Sequence, residues 1–431
     1  MSYRQTMVRQ SKAWGHAAAG LCALAGLSVM TLSSSSALAA DLGGDCCADL
    51  EERVATLEAT AARKGNRKVS LTVSGWMNQN ILVWDDGDES DAYVTSNGND
   101  LGAINFSGEA KIRPGWTAGY EIELEIVAAG SDGVDQTNDD GDTAIELAQS
   151  AMFIESEQYG RVTSGFADQS SNGAPEMDLS GAENVAYSAV PDVAGGFQLR
   201  LSNGALSGVT IGDVFDNLNG DTFNIIRYET PTIAGFVLSA SWGEDDMWDV
   251  ALAYEKELGE FEVAAAIAYR ENRDGDNGGA KESLDTLNGS ISVLHNPTGL
   301  NFTFAAGQRD FNNEPGRDEA TFYYFKGGIL RQYNSLGKTA IYGEFGQFDD
   351  IFATDDASGI TGNAMHSVTG SEAQVFGFGI VQHIDAAEMQ LYVGYRHYEV
   401  DLDVVDGVGN AVAAPGLEDF YTIMAGARID F

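Results

Sequence analysis

The chain has 431 residues and a formal net charge of −41, because 65 Asp and Glu outnumber 24 Lys and Arg. So large an excess of acid argues against nucleic acid as a partner, since clustered Lys and Arg must neutralise the phosphates. Hydrophobic residues at 44% and aromatic residues at 10% exclude a wholly disordered chain. The 51 glycines, with only 7 prolines, favour β-structure joined by turns and acidic loops.

Residues 1–39 have the three parts of a secretory signal peptide. The basic start, the apolar core and the small-residue cleavage site are, in order, Arg4, Arg9 and Lys12, then residues 17–30, then Ala37-Leu38-Ala39. The apolar stretch is short for a spanning helix, so a retained membrane anchor is the less favoured alternative. Export removes three cations and no acid, which makes the formal charge −44.

The mature chain keeps two of the three cysteines, the adjacent Cys46 and Cys47. Neighbouring cysteines rarely bridge each other, because a disulfide needs separated and converging Cβ atoms. In an oxidising compartment we therefore expect them to pair between subunits. Asp45 stands where a lipid-modified cysteine needs a small residue, and the pair lacks nearby His or Cys ligands. We expect neither a lipid anchor nor a metal site here.

Residues 40–68 are predicted to form a periplasmic helical segment that ends in a basic linker. Apolar residues recur at alternating four- and three-residue steps, as in the seam of a coiled coil: Leu50, Val54, Leu57 and Ala61. Two heptads are too short to be stable alone. An intersubunit coiled coil and a frayed surface helix remain as alternatives.

From residue 69 to residue 431, apolar and polar residues alternate with the period of a strand that has two unlike faces. In residues 120–126, for example, every second residue is Glu. The predicted strands are 69–84, 102–113, 116–127, 144–155, 160–167, 222–230, 233–243, 248–257, 261–271, 285–295, 300–310, 320–333, 338–348, 373–384, 389–400 and 418–431.

The joins between these strands are alternately short and long. The short joins have Gly, Pro and Asn turn chemistry, as in Arg113-Pro114-Gly115. The long joins are 85–101, 128–143, 168–221, 272–284, 349–372 and 401–417. Strict alternation places the long loops at one end, which is the asymmetry of an outer-membrane barrel. We predict an all-β transmembrane antiparallel barrel of about 16 strands, closed because lipid offers the backbone no hydrogen-bond partner.

Three parts of the mature chain carry a recognisable pattern. They are Asp45 to Arg53 with 64–71 and Ser74-Gly75-Trp76, then Ile226-Arg227-Tyr228-Glu229-Thr230-Pro231 with 239–246, and finally the terminal Phe431. These resemble the mature N-terminus, the strand after the inward loop and the C-terminal barrel-assembly signal of alphaproteobacterial, rhizobial-type general porins. The resemblance implies a homotrimeric outer-membrane channel for passive diffusion of small hydrophilic solutes and ions. Outer-membrane lipid and lipopolysaccharide are its expected surroundings, and no cofactor is expected.

The same resemblance implies that residues 168–221 fold inward as a constriction loop. Selectivity would then depend on the diameter and charge of the narrowest point. We expect loop acids to face basic residues on the polar parity of the strands: Glu176, Asp178 and Glu183 against Lys111, Arg161 and Arg227, with Arg200 on the loop itself and Arg113, Arg270, Arg309 and Arg396 as further wall candidates. Each cation is alternatively a lumen salt bridge or a solvated charge.

Other functions are less favoured. After export four histidines remain, His295, His366, His383 and His397, and no nucleophile elbow or metal-type cluster accompanies them in the sequence, so we expect no catalytic site. A calcium loop at 136–141 lacks its leading Asp, and no metal site is expected there. A substrate-specific channel, lined for sugars by Tyr323, Phe325, Tyr392 and Tyr398, is the alternative function, and a structural barrel without conductance is a third.

Overall fold

The computed structural model describes residues 68–431, apart from 142, 244–245, 278–279 and 313–316, and gives no side chains for 274–282. Several predictions therefore lie outside the described residues. These are the signal peptide at 1–39, the cysteines Cys46 and Cys47, and the helical seam of Leu50, Val54 and Leu57.

The described chain forms one large antiparallel sheet closed on itself, plus a two-stranded hairpin. In chain order the strands are β1 (Thr72–Asp85), β2 (Ser90–Ser96), β3 (Gly102–Arg113), β4 (Trp116–Ala128), β5 (Thr143–Ser156), β6 (Gly160–Asp168), β7 (Gln198–Arg200), β8 (Leu206–Thr210), β9 (Thr222–Glu229), β10 (Phe236–Gly243), β11 (Met247–Leu258), β12 (Phe261–Asn277), β13 (Ala280–His295), β14 (Leu300–Phe311), β15 (Ala320–Gln332), β16 (Lys338–Asp349), β17 (Ser367–Ile384), β18 (Met389–Val405) and β19 (Phe420–Asp430).

The predicted strand number is confirmed, although the sheet holds 17 separate strands. Two of these strands, β2 and β3, pair with different halves of the same edge of β1 and so occupy one position in the barrel. The end of β1 nearest the long loops pairs with β2, with Ile81 opposite Val94, and its other end pairs with β3, with Gly75 opposite Ile104. Counted by position, the barrel has 16 strands. The prediction of a continuous loop over 85–101 was wrong, because β2 returns along β1 as a hairpin.

The barrel closes where the first strand meets the last. β1 and β19 pair from Trp76 opposite Asp430 to Asp85 opposite Tyr421. Beyond that register, Gly75 N donates to Phe431 O at 3.0 Å, and Phe431 N donates to Gly75 O at 2.9 Å. The C-terminal residue is therefore part of the closing seam.

Side-chain burial along the strands is inverted relative to a soluble protein. On β10, Leu238 and Trp242 are exposed, whereas Ser239 and Ser241 are buried. An apolar outer face and a polar inner face are what a membrane barrel with an aqueous lumen requires. In the part of the chain that the structure describes, no helix has both the length and the apolar character to cross a membrane.

Several strands extend further at the long-loop end than the sequence pattern predicted. β12 continues to Asn277 and β13 begins at Ala280, inside the predicted loop 272–284. β18 likewise continues to Val405, inside the predicted loop 401–417. The extension of β12, residues 272–277, contains no apolar residue, so no alternation marks it as a strand. The extension of β18 does alternate, with Val400 and Val404 buried and Asp401 and Asp403 exposed, but its acids are also typical of an outer loop.

Candidate constriction site

The long connection between β6 and β9, residues 169–221, is mostly buried although it is largely irregular. We call it the inward segment. It contains short 3-10 turns at Ala174–Glu176 and Val190–Asp192, the hairpin of β7 and β8, and one helical turn, α1 (Ile211–Val214). A connection this long is commonly functional, and its burial requires partners for its backbone polar groups.

Lumen-facing side chains of the wall supply those partners on one side. On β13, Ser290 Oγ accepts from Met177 N and Ser292 Oγ accepts from Leu179 N, both at 2.9 Å. On β11, Asp249 Oδ2 accepts from the backbone N and the hydroxyl of Ser171, each at 2.6 Å. Small polar side chains on the inner face thus replace the secondary structure that this stretch lacks.

Two buried cations of the wall hold the middle of the inward segment. Lys326 Nζ, on β15, donates to Ala186 O at 2.6 Å. The Arg396 guanidinium, on β18, donates to Tyr187 O and to Val190 O at 3.1 Å each. Arg396 is also paired with Glu344 of β16 at 2.9 Å. The segment is therefore fixed to the wall by charge-assisted hydrogen bonds, which are stronger than neutral ones.

The far part of the inward segment packs through an apolar core. Phe215 contacts Phe348 with ring centroids 5.1 Å apart and Tyr398 at 5.6 Å. Phe197 contacts Trp84 at 5.1 Å and Phe420 at 5.2 Å. These wall residues come from β16, β18, β1 and the start of β19, so this side of the lumen is filled.

Charged residues border a cavity of about 390 Å³ between the inward segment and the wall. The segment supplies four acids, Glu176, Asp192, Asp216 and Asp221, and the wall supplies Arg270 of β12 and Arg309 of β14. Arg309 Nη1 lies 2.9 Å from Asp216 Oδ2, and Arg270 Nη1 lies 3.9 Å from Asp221 Oδ2. Acids on one side and arginines on the other create an electric field across the cavity.

Two of the acids in this cavity are held by neighbours on the inward segment. Glu176 Oε1 accepts from Asn217 Nδ2 at 2.9 Å and from Asn219 Nδ2 at 3.1 Å. Asp192 accepts a short hydrogen bond from the Tyr187 hydroxyl. Burial raises the pKa of Asp192 to about 7, the Tyr187 hydrogen bond opposes that rise, and the nearby charges of Glu176 and Asp132 add to it. The charge of the cavity therefore changes near neutral pH.

The family model described as Gram-negative porin matches residues 23–403, most of the chain. The chain belongs to the Gram-negative porin family. It is a channel protein of the bacterial outer membrane.

Solved structures share the fold of this porin at low sequence identity. The anion-selective porin from Comamonas acidovorans has a TM-score of 0.55 and 16% identity, over 84% of this chain and 100% of that chain. OmpT of Vibrio cholerae has a TM-score of 0.51 and 10% identity, over 86% of this chain and 100% of that chain. None of the curated proteins compared with the chain matches it.

The porin places the three predicted loop acids in different surroundings. Glu176 lines the cavity. Asp178 is buried in an ion pair with Lys326 and accepts from Thr303 Oγ1 at 3.1 Å. Glu183 is half-buried on the same segment and is not among the residues that line the cavity. The structure thus brings one of the three to the cavity.

The predicted partner cations also separate. Lys111 is exposed near the end of β3, three residues before the turn that begins at Pro114. Arg161 pairs with Glu121 of β4 at 3.1 Å. Arg227 donates to Asp168 O at 2.7 Å, where the inward segment begins. Arg161 and Arg227 are thus held at the wall, and Lys111 lies near the turn end of the barrel.

Arg200 lies at the outer mouth of the porin. On β7, its Nη2 is 2.8 Å from Asp86 Oδ2 and 2.9 Å from Glu89 Oε2, both in the turn between β1 and β2. It therefore links the inward segment to an outer hairpin rather than facing the cavity.

Sequence reasoning missed Lys326, which binds both Asp178 and the backbone of the inward segment. Lys326 occupies the same alternate positions of β15 as Phe322 and Tyr324, whose side chains also point inward and are buried. Of the aromatic residues proposed to line a sugar path, Tyr323 and Phe325 are on the exposed outer face. Tyr392 and Tyr398 are buried beneath the inward segment, so neither pair lines an open path.

Proposed function

We propose that the cavity between the inward segment and β12 and β14 is the constriction of this porin. The observation that supports it is the opposition of Glu176, Asp192, Asp216 and Asp221 to Arg270 and Arg309. A transverse field of this kind orients dipolar solutes and disfavours apolar ones. The channel then selects by size and charge, without binding one substrate tightly.

The same charges support a preference for cations. Four acids and two arginines line the cavity, so its net charge is negative when the acids are ionised. Acidic loops around the entrance add to this potential and raise the local concentration of cations.

Charge reversal tests the constriction. In Arg270→Glu and Arg309→Glu the reversal potential in planar bilayers with asymmetric salt should shift toward stronger cation selectivity, because the field loses its positive side. Lys111→Glu makes the same change of charge near the turn end of the barrel and serves as the control. Equal shifts in all three variants would contradict the assignment.

A general pore and a substrate-specific channel differ in how uptake depends on solute. A general pore gives liposome swelling rates that fall smoothly with solute size across unrelated sugars and amino acids. Saturation by one class of solute would instead favour the specific channel. The burial of Tyr392 and Tyr398 under the inward segment supports the general pore.

We also propose that the porin is a homotrimer of the rhizobial type, exported by residues 1–39 and joined through residues 40–68. The motifs at 45–53 and 226–231 support this assignment. Three equal conductance steps per insertion event in bilayers are the expected result, and single steps throughout would contradict the trimer.

A further inference from the structure

A histidine and two carboxylates meet on the outside of the barrel. His397 and Glu399 lie on β18, and Asp419 comes immediately before β19. His397 Nε2 is 3.3 Å from Glu399 Oε1 and 3.3 Å from Asp419 Oδ2. The neighbours Arg396 and Tyr398 are buried against the inward segment, so His397 and Glu399 point away from the lumen.

The cluster lies at the end of the barrel that carries the long loops. β17 and β18 join at the opposite end through the turn Asp385–Ala387, whereas β18 and β19 join through residues 406–419 at this end. Exposed aromatic residues of the outer face, Phe376 and Phe378, adjoin it on the membrane side. The side chains of Glu399 and Asp419 are 52% and 61% exposed, so they are accessible from water.

The imidazole ring of His397 is fixed in orientation. It stacks on Phe376 with ring centroids 4.7 Å apart and lies parallel to Tyr421 at 6.3 Å. Its Nδ1 is 3.4 Å from the Tyr395 hydroxyl. With Nδ1 occupied, Nε2 is directed at the two carboxylates. Histidines that bind metals show this arrangement, because a partner on the other ring nitrogen sets the ligand orientation.

We propose that His397, Glu399 and Asp419 bind a divalent transition-metal ion, with Zn²⁺ as the reference ion. Ligands about 2.0–2.1 Å from a tetrahedral ion stand about 3.3–3.4 Å apart. The two distances from Nε2 have this value, and the three ligand atoms all lie within 4.8 Å of one another. Rotation of the two exposed carboxylates brings the oxygens of Glu399 and Asp419 to the same separation from each other.

The chemistry of the ligand set favours a transition metal over Ca²⁺ or Mg²⁺. Imidazole suits Zn²⁺, Cu²⁺ and Ni²⁺, whereas Ca²⁺ takes six to eight oxygen ligands. Three protein ligands leave one tetrahedral position open, and here it faces solvent. A protonated His397 paired with both acids is the competing arrangement. The two differ because metal binding requires a neutral imidazole.

Zn²⁺ titration by calorimetry on the detergent-solubilised trimer or monomer tests the site. The background is Cys46→Ser with Cys47→Ser, since thiolates also bind zinc. We expect one site per chain, weakened at least tenfold in His397→Gln and in Asp419→Asn. His366→Gln alters a half-buried loop histidine outside this cluster and should leave the isotherm unchanged. Tyr395→Phe should weaken binding by about tenfold through loss of the Nδ1 partner.

Co²⁺ supplies a readout that a purely structural role would not move. Bound Co²⁺ should give visible d–d absorption in the wild type that is absent in Asp419→Asn. That substitution changes an exposed ligand and leaves the packing of the His397 ring on Phe376 and Tyr421 intact. Identical Zn²⁺ isotherms in the parent and in Asp419→Asn would overturn the proposal. So would Ca²⁺ binding as tightly as Zn²⁺ with the same dependence on His397.

Discussion

Asp192 makes the cavity sensitive to pH. Its pKa is raised to about 7 by burial, so the folded protein favours the protonated carboxyl. The resulting stability is fully present below the ordinary pKa of 3.8 and is lost as the pH rises through about 7. Over the same upper range the cavity gains one negative charge.

We therefore expect cation selectivity to rise between about pH 6 and pH 8 in the wild type and to stay flat in Asp192→Asn. The measurement is the reversal potential in bilayers at a series of pH values. Asp139→Asn, in an exposed outer loop, is the matched control and should behave as the wild type. The same pH dependence in Asp192→Asn would contradict the role of Asp192.

The buried pair of Asp178 and Lys326 should govern how firmly the inward segment is held. Lys326→Met leaves the Asp178 carboxylate buried without its ion-pair partner, which costs about 3–5 kcal/mol. We expect faster proteolysis within residues 169–221 in this variant, with the cleavage products identified by mass spectrometry. Asp178→Asn combined with Lys326→Met removes both charges and should recover part of the protection. A double variant no better than the single one would show that the charge pair is not the cause.

Among the structural elements, the seam between β1 and β19 carries the proposed assembly signal. The ring of Phe431 covers Gly75, where an added Cβ would lie 2.2 Å from Ala103 O and 2.8 Å from Phe431 Cζ. We expect deletion of Phe431, and also Gly75→Val, to reduce the fraction of folded barrel that migrates faster than unfolded chain in unheated SDS gels. Gly416→Ala adds a methyl group in open space and should have no effect. Normal migration of both seam variants would contradict the prediction.

Strand prediction succeeded wherever one face meets lipid and the other meets the lumen, as in β10. It failed for β2, a short strand between the Asp-, Gly- and Asn-rich residues 85–89 and 97–101, and for the outer end of β12, where residues 272–277 contain no apolar side chain. It also failed for the outer end of β18, where Asp401 and Asp403 are typical of a loop although Val400 and Val404 are buried. The cavity was harder to predict, because it depends on which strand each part of the inward segment reaches. Arg270 and Arg309 had the correct parity, but nothing local in the sequence separates them from Arg161, whose partner is Glu121.

For the whole molecule, the adjacent cysteines predict covalent links between subunits. We expect non-reducing gels of the exported porin to show dimers or trimers that disappear with reductant and in Cys46→Ser with Cys47→Ser. Channel activity of that variant should persist, because the described barrel closes without residues 46 and 47. Monomer alone at every redox setting would rule out the links.

The inward segment also has a mechanical consequence. It contacts β11, β13, β15 and β18 through hydrogen bonds and β1, β16 and β19 through aromatic packing, so it crosses the interior between opposite parts of the wall. A hollow tube under the lateral pressure of a bilayer flattens easily unless something inside holds its sides apart. Shortening this segment to widen the channel would therefore also soften the tube, which limits how large the opening can become while the barrel stays rigid.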